Sequence, residues 1–250
     1  MAISKMLLAA ALGLLSIFAE RESPKSEAGR RPIKLEAEYF IQIGIPEPSD
    51  ICINPYTNHF YVVSDDGILF EMDIKGRPLR EAAFRGFDFE AVYADSQFVY
   101  VVEEYTRKIR LFDHKNLELQ RTVHLPYSGG RNKSYESFTF NRATGRFVLL
   151  TEKDPIYLFE LDSGFRIVNE WDMTHLASDI SAATYHDGYL WLLSDEDMHV
   201  IQLDARSREE LGRWYVPIIN PEGLAFDKEG NMLIISDDME RLYVFKDPRK

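Results

Sequence analysis

Short apolar segments separated by turn residues recur along the chain from about residue 33 to the C-terminus. Five of them share one pattern, at spacings of 41, 46, 45 and 41 residues, and begin at Ser49, Glu90, Glu136, Ser181 and Glu222. Each has a short apolar strand, a turn such as Asn54-Pro55, and a second, strongly apolar strand that ends in an acidic residue. Runs of Val, Ile, Leu, Tyr and Phe between turn residues predict β-strands, and no ten-residue stretch after residue 40 keeps a helical period.

A third strand follows in all five repeats and a fourth in the first four, for example Ile109–Asp113 and Leu119–Leu125 in the second repeat. Four strands at a period of about 40 to 45 residues form the blade of a β-propeller. The fifth repeat lacks a fourth strand, whereas residues 33 to 43 alternate apolar and polar positions. We therefore predict an all-β fold, a propeller of five four-stranded blades in which residues 33 to 43 complete the last blade and close the ring, which removes exposed edges. A six-bladed ring is the alternative.

Three runs of this sequence resemble the SdiA-regulated β-propeller family, also called the YjiK/CarP family. They are PSDICINPYTNHFYVVSDDGILFEMD, GFDFEAVYADSQFVYVVEE and NPEGLAFDKEGNMLIISDD, and the resemblance extends over roughly residues 34 to 247. It implies a bacterial, extracytoplasmic propeller with an N-terminal membrane-targeting segment and a link to calcium. Some members of the family that this sequence resembles are described as phytase-like.

The N-terminal segment differs from the rest of the chain. In residues 1–19, Lys5 is the only charge, and the 14 residues 6–19 are mostly apolar. This length favours a signal peptide, since a spanning helix needs about 20 apolar residues, and membrane attachment through residues 6–19 is the alternative. Residues 20–32 are a predicted linker, and residues 33–250 are the predicted propeller domain. We expect an extracytoplasmic protein, either periplasmic or anchored to the cell membrane.

The charge of the chain is concentrated in the predicted propeller. The formal net charge is −12, and because residues 1–34 carry +3, the remaining residues carry −15. An acidic protein is a poor nucleic-acid binder, because phosphate backbones recruit basic surfaces. The single cysteine, Cys52, excludes an intrachain disulfide and a cysteine metal cluster. It lies in an apolar strand and is expected in the core rather than as a nucleophile.

Carboxylates recur at two equivalent positions of the aligned repeats. The first position of the innermost strand holds Ser49, Glu90, Glu136, Ser181 and Glu222. The end of the second strand holds Asp65, Glu104, Glu152, Asp195 and Asp237. Because these strands are antiparallel neighbours, both positions lie on one face of the disc, where eight like charges repel unless a cation neutralises them or their pKa values rise. Oxygen ligands without cysteine or clustered histidine favour Ca²⁺ or Mg²⁺ over Zn²⁺.

These observations lead to three hypotheses. The first is a calcium-associated protein that binds an unknown small molecule or protein partner on its acidic channel face, with Glu90, Glu136, Glu222, Asp65, Glu152, Asp195 and Asp237 as metal ligands. The second is a metal-dependent hydrolase, a phytase-like phosphoesterase or a lactonase, that uses the same face. The third is a scaffold whose acids only satisfy backbone groups, as Asp often does in turns. The HExxH, GxSxG and P-loop patterns are absent from the sequence.

Overall fold

The computed structural model describes residues 32–126 and 134–250, which contain 21 β-strands. The predicted signal peptide or anchor (residues 1–19) and all but the last residue of the predicted linker lie outside the described residues. None of the described residues belongs to a helix that is long and apolar enough to cross a bilayer.

The strands form five sheets, which are the blades of a β-propeller, and neighbouring strands within each blade pair antiparallel. Each blade begins with its inner strand. Two strands precede the first blade, β1 (Ile33–Lys34) and β2 (Tyr39–Gln42). Blade 1 contains β3 (Pro48–Ile53), β4 (Phe60–Ser64), β5 (Ile68–Met72) and β6 (Pro78–Glu81). Blade 2 contains β7 (Phe89–Ala94), β8 (Phe98–Glu103), β9 (Lys108–Asp113) and β10 (Leu119–His124).

The other three blades repeat this order. Blade 3 contains β11 (Tyr135–Asn141), β12 (Arg146–Thr151), β13 (Tyr157–Leu161) and β14 (Ile167–Asp172). Blade 4 contains β15 (Ala182–His186), β16 (Tyr189–Ser194), β17 (His199–Asp204) and β18 (Glu210–Tyr215). Blade 5 contains β19 (Pro221–Phe226), β20 (Met232–Ser236) and β21 (Arg241–Phe245). The prediction of five blades is confirmed, and the alternative of a six-bladed ring is wrong.

The ring is closed by the N-terminal part of the chain, but not by one continuous strand. As predicted, β2 pairs antiparallel with β21 and supplies the fourth strand of blade 5. The prediction that the whole of residues 33–43 forms this strand is wrong, because β1 instead pairs in parallel with β18 of blade 4. Between the two strands, Leu35 packs partly against the apolar cluster that joins blades 4 and 5. The segment therefore links two adjacent blades.

The core is divided among five apolar clusters, one between each pair of adjacent blades, including blades 5 and 1. The cluster between blades 2 and 3 is the most aromatic, with Phe138 and Phe147 stacked at 5.3 Å and Tyr100 at the same distance from Phe147. Central strands such as β16 and β20 are buried along most of their length because both faces of each sheet pack on a neighbouring blade. This packing fixes the inner strands around a central channel.

Candidate metal site

One mouth of the central channel is an acidic cavity of about 380 Å³. The inner strand of each blade starts there and the second strand ends there, as the antiparallel pairing requires. Ten carboxylates line the cavity: Asp65, Asp88, Glu90, Glu104, Glu136, Glu152, Asp179, Asp195, Glu222 and Asp237. Ser49, Ser181 and Tyr105 also line it. The structure therefore brings together every residue that the aligned repeats placed at this mouth.

A β-bulge directs the inner residues toward the cavity. In blades 1, 2, 3 and 5 the ladder between the first and second strands skips one residue, which is Ser49, Glu90, Glu136 and Glu222, respectively. A bulged residue is left out of the ladder, and the local bend redirects its side chain. The four bulges occur at the same position of the repeat, so their side chains converge.

Sequence alignment of the repeats missed two of the ten acids, Asp88 and Asp179. Asp88 lies two residues before Glu90, and Asp179 lies two residues before Ser181. An acid at this additional equivalent position of the repeats is the sequence signal that could have identified them. Asp88 has a φ of 59°, a left-handed conformation that Asp tolerates better than most residues. Its carbonyl accepts the amide of Glu104 at 2.9 Å, which connects the entry of blade 2 to the end of its second strand.

Some of the cavity carboxylates also serve the protein's own hydrogen bonds. Glu104 accepts the backbone amide of Ser134, in the next blade, at 3.0 Å. Asp179 accepts the Ser194 hydroxyl at 2.5 Å and the Glu196 amide at 3.2 Å. Glu104 and Asp179 therefore also stabilise the scaffold.

Asp50 satisfies backbone amides of neighbouring blades, which is the role that the scaffold hypothesis gave to channel acids. It was not among the residues selected from the sequence. Asp50 is 3% exposed, and its Oδ2 accepts the amide of Val92 in blade 2 at 2.8 Å. The amides of Ile51 and of Leu224 in blade 5 also hydrogen-bond to this carboxylate. Burial raises the pKa of Asp50 to about 8. This one side chain thus joins three blades beneath the acidic cavity.

Burial, together with neighbouring carboxylates, raises the pKa values of seven of the cavity acids. Burial is the main cause for Glu222, whose pKa rises to about 8, with a further contribution from Asp195 and Asp237. Burial and neighbouring carboxylates also raise the pKa of Glu104 to about 7 and of Asp195 to about 7. The pKa values of Glu90, Glu136, Asp65 and Asp237 are raised for the same reasons. Without a cation, the cavity holds protons at neutral pH.

Three of these carboxylates are close enough to share one ion. Oxygen atoms of Asp88, Glu90 and Glu104 all lie within 4.8 Å of one another. Two oxygens bound to the same Ca²⁺ at about 2.3–2.6 Å lie at most about 5 Å apart, so this spacing fits the ion. Glu90 and Glu104 were predicted to meet here, whereas Asp88 was not.

Basic groups are scarce around the cavity. Among the described residues, no Lys, Arg or His lines it. Lys153 pairs with Glu152 and, at 2.9 Å, with Glu196. Two exposed aromatic residues, Phe87 and Tyr105, lie at the edge, with 70% and 68% of their surface exposed. The mouth therefore offers a dense negative charge beside exposed aromatic surface.

Fold and cavity together define a five-bladed β-propeller with an acidic channel mouth. Residues 41–246 match the model of the SdiA-regulated family, and the chain belongs to this family. The crystal structure of Myxococcus xanthus glutaminyl cyclase is similar in fold, with a TM-score of 0.69 over 86% of this chain and 98% of that chain. The sequence identity is 14%, so this likeness concerns the fold alone.

Proposed function

We propose that this protein binds Ca²⁺ in the acidic cavity and acts outside the cytoplasm as a ligand- or partner-binding propeller. The observation that carries the proposal is the convergence of ten carboxylates on one cavity without a basic lining residue among those described. A divalent cation would favour the charged carboxylates that burial and mutual repulsion disfavour. Oxygen-only ligands in a site that lacks nitrogen and sulfur donors suit Ca²⁺.

The exposed aromatic rings of Phe87 and Tyr105 support a binding role for the same face. Large exposed apolar side chains beside a polar cavity are common at sites that meet another molecule. A scaffold that used its acids only for its own backbone would not need exposed aromatic rings beside the cavity.

The extracytoplasmic location rests on the sequence of residues 1–19, and secretion of a reporter enzyme fused after residue 32 tests it.

Isothermal titration of the purified propeller with CaCl₂, with MgCl₂ in comparison, tests the metal proposal. We expect saturable Ca²⁺ binding and a rise in melting temperature, and Glu136→Gln should weaken binding at least tenfold. Glu118→Gln is the matched control, because Glu118 is an exposed acid in the turn between β9 and β10. Absence of both heat and thermal shift at millimolar Ca²⁺ would disprove the metal site.

A metal-dependent hydrolase remains the second candidate, and one observation favours it. The pKa values of Glu104 and Asp195, each about 7, suit general acid–base catalysis at neutral pH. Because none of the described lining residues is basic, highly anionic phosphoesters are disfavoured and lactones are the better substrate class. A panel of lactones and phosphoesters, assayed with Ca²⁺, should show turnover that Glu136→Gln abolishes without unfolding. No turnover of any compound would reject this candidate.

A further inference from the structure

The opposite mouth of the channel holds a second cavity, also of about 380 Å³. It is lined by the ends of all five inner strands, whereas the acidic cavity is lined by their starts. Asp50 and Ile51 lie between the two cavities along β3, because Ser49 lines the acidic cavity and Cys52 lines the second cavity. Cys52, expected in the core, is half-buried and contributes to this lining. The proposed calcium site leaves this cavity without a role.

Aromatic rings form much of the wall of the second cavity. Tyr93 and Phe140 are stacked at 6.4 Å, from blades 2 and 3. On the other side, His186 and Phe226 are stacked at 4.0 Å with their planes 4° apart. Trp191, which is fully buried, packs behind Phe226 at 5.1 Å and holds this pair in place. Flat walls of this kind favour a planar guest.

The charged side chains that line the second cavity differ in how far their hydrogen-bonding groups are already used. The two acids already have partners: Asp187 pairs with Arg249 at 3.0 Å, and Asp227 accepts two hydrogen bonds from Asn231, both at 2.7 Å. Lys228 donates one of its three hydrogens, to the carbonyl of Thr57 at 2.7 Å. Arg142 lines the cavity, and none of the ion pairs found among the described residues involves it. Arg142 therefore keeps its guanidinium donors for a ligand, and Lys228 keeps two of its three hydrogens.

Hydroxyl groups add neutral donors near the axis. Thr139 and Thr184, on adjacent inner strands, both line the cavity, and Thr139 is 3% exposed. A pocket with apolar walls and a few convergent polar groups is the usual form of a small-molecule site. An Arg guanidinium binds a carboxylate through two parallel hydrogen bonds.

We propose that this second cavity binds a small planar organic anion, an aromatic carboxylate, with its ring between the aromatic walls and its carboxylate on Arg142. The acidic mouth repels such a molecule, so the two ends of one channel select ligands of opposite charge. The neutral form of His186 fits this role, because burial lowers its pKa and leaves an uncharged ring to stack on the guest.

Isothermal titration with 2-naphthoate tests this proposal. We expect saturable 1:1 binding, and Arg142→Gln should weaken it by about tenfold or more, as the loss of a charge-assisted pair predicts. Arg146→Gln is the matched control, because Arg146 lies four residues further along the same hairpin and outside the cavity lining. Arg142 is exposed, so its variant should keep the melting temperature of the wild type.

Two comparison ligands make the test specific. 2-Naphthalenemethanol, which is neutral, and 2-naphthylmethylamine, which is cationic, should bind at least tenfold more weakly than 2-naphthoate. Equal binding of either one, no saturable binding of 2-naphthoate at millimolar concentration, or equal weakening by Arg146→Gln would overturn the proposal. Binding of 2-naphthoate that disappears in EDTA or in Glu222→Gln would place the anion on a metal in the acidic cavity and would also overturn it. Failure of Ca²⁺ binding alone would leave this second site unaffected.

Discussion

Replacement of Glu222 by Gln should stabilise the metal-free protein at neutral pH. Glu222 lies at a β-bulge in the acidic cavity, where burial and neighbouring acids raise its pKa from 4.5 to about 8. The raised pKa means that the folded protein disfavours the charged form of this side chain. Gln keeps the size and polarity of Glu but does not ionise, so the variant isolates the energetic effect of the charge.

The size and sign of the effect follow from proton linkage. Below pH 4.5 the carboxyl is protonated in both the folded and the unfolded state, so the wild type and the Glu222→Gln variant should differ little. Between pH 4.5 and 8 the unfolded chain releases the proton while the folded chain keeps it, and the free energy of unfolding falls by about 1.4 kcal/mol per pH unit. The loss reaches about 3 kcal/mol at pH 7 and levels off near 5 kcal/mol above pH 8. These are upper values, because Glu222 keeps some surface exposed to water in the cavity.

Urea denaturation followed by circular dichroism in EDTA, at pH 4, 7 and 8.5, measures this difference. The advantage of Glu222→Gln should be near zero at pH 4 and greatest at pH 8.5. Glu118→Gln, in an exposed turn, should match the wild type at every pH. Saturating Ca²⁺ should stabilise the wild type more than Glu222→Gln, since a ligand that binds only the folded state adds to its stability. A variant that is less stable than the wild type in EDTA at pH 7, or a difference independent of pH, would refute this reasoning.

Three other predictions concern the scaffold. Asp50→Ala should lower the free energy of unfolding by about 3 kcal/mol because it leaves amides of neighbouring blades buried without an acceptor, whereas Asp50→Asn should retain most of the stability; equal losses in urea denaturation would contradict this. Arg110→Ala should cost about 3 kcal/mol, because Glu103 is fully buried and pairs with Arg110 at 2.8 Å, while Lys108 remains as a more distant partner at 3.8 Å. The double variant Glu103→Leu/Arg110→Met should recover stability; a harmless single variant would refute it. A chain without residues 33–42 should self-associate through the exposed edge of β21, and size-exclusion chromatography that shows a stable monomer would exclude this role.

The repeat pattern predicted the fold more completely than it predicted the ring closure. The number of blades, the four strands in each blade and the pairing of β2 with β21 follow from apolar periodicity and from the missing fourth strand of the last repeat. The pairing of β1 with blade 4 does not follow from periodicity, because Ile33 and Lys34 are two exposed residues whose partners, Trp214 and Tyr215, are distant in the sequence. A continuous alternation of side chains is also compatible with a strand that leaves one blade and joins the next.

The candidate site was predictable where the repeat is regular. Aligned positions gave eight of the ten cavity carboxylates, because antiparallel pairing necessarily brings the start of one strand beside the end of the next. Asp88 and Asp179 were missed because they precede the inner strands, in irregular segments whose conformation the pattern does not specify. Asp50 was missed because it occurs in one repeat only, and its role depends on amides from two other blades.

The sequence by itself determined a five-fold β repeat and the alignment of its acids on one face, since both depend on local periodicity and pairing. Only the tertiary structure decided how those acids meet. The bulges direct the inner side chains into the cavity, the closed ring places residues from all five blades around that one cavity, and burial raises the pKa values of most of its acids. The second cavity is likewise a product of the ring, because its aromatic walls come from strands that are distant along the chain. Proximity and desolvation are properties of the packed ring, which no single repeat encodes.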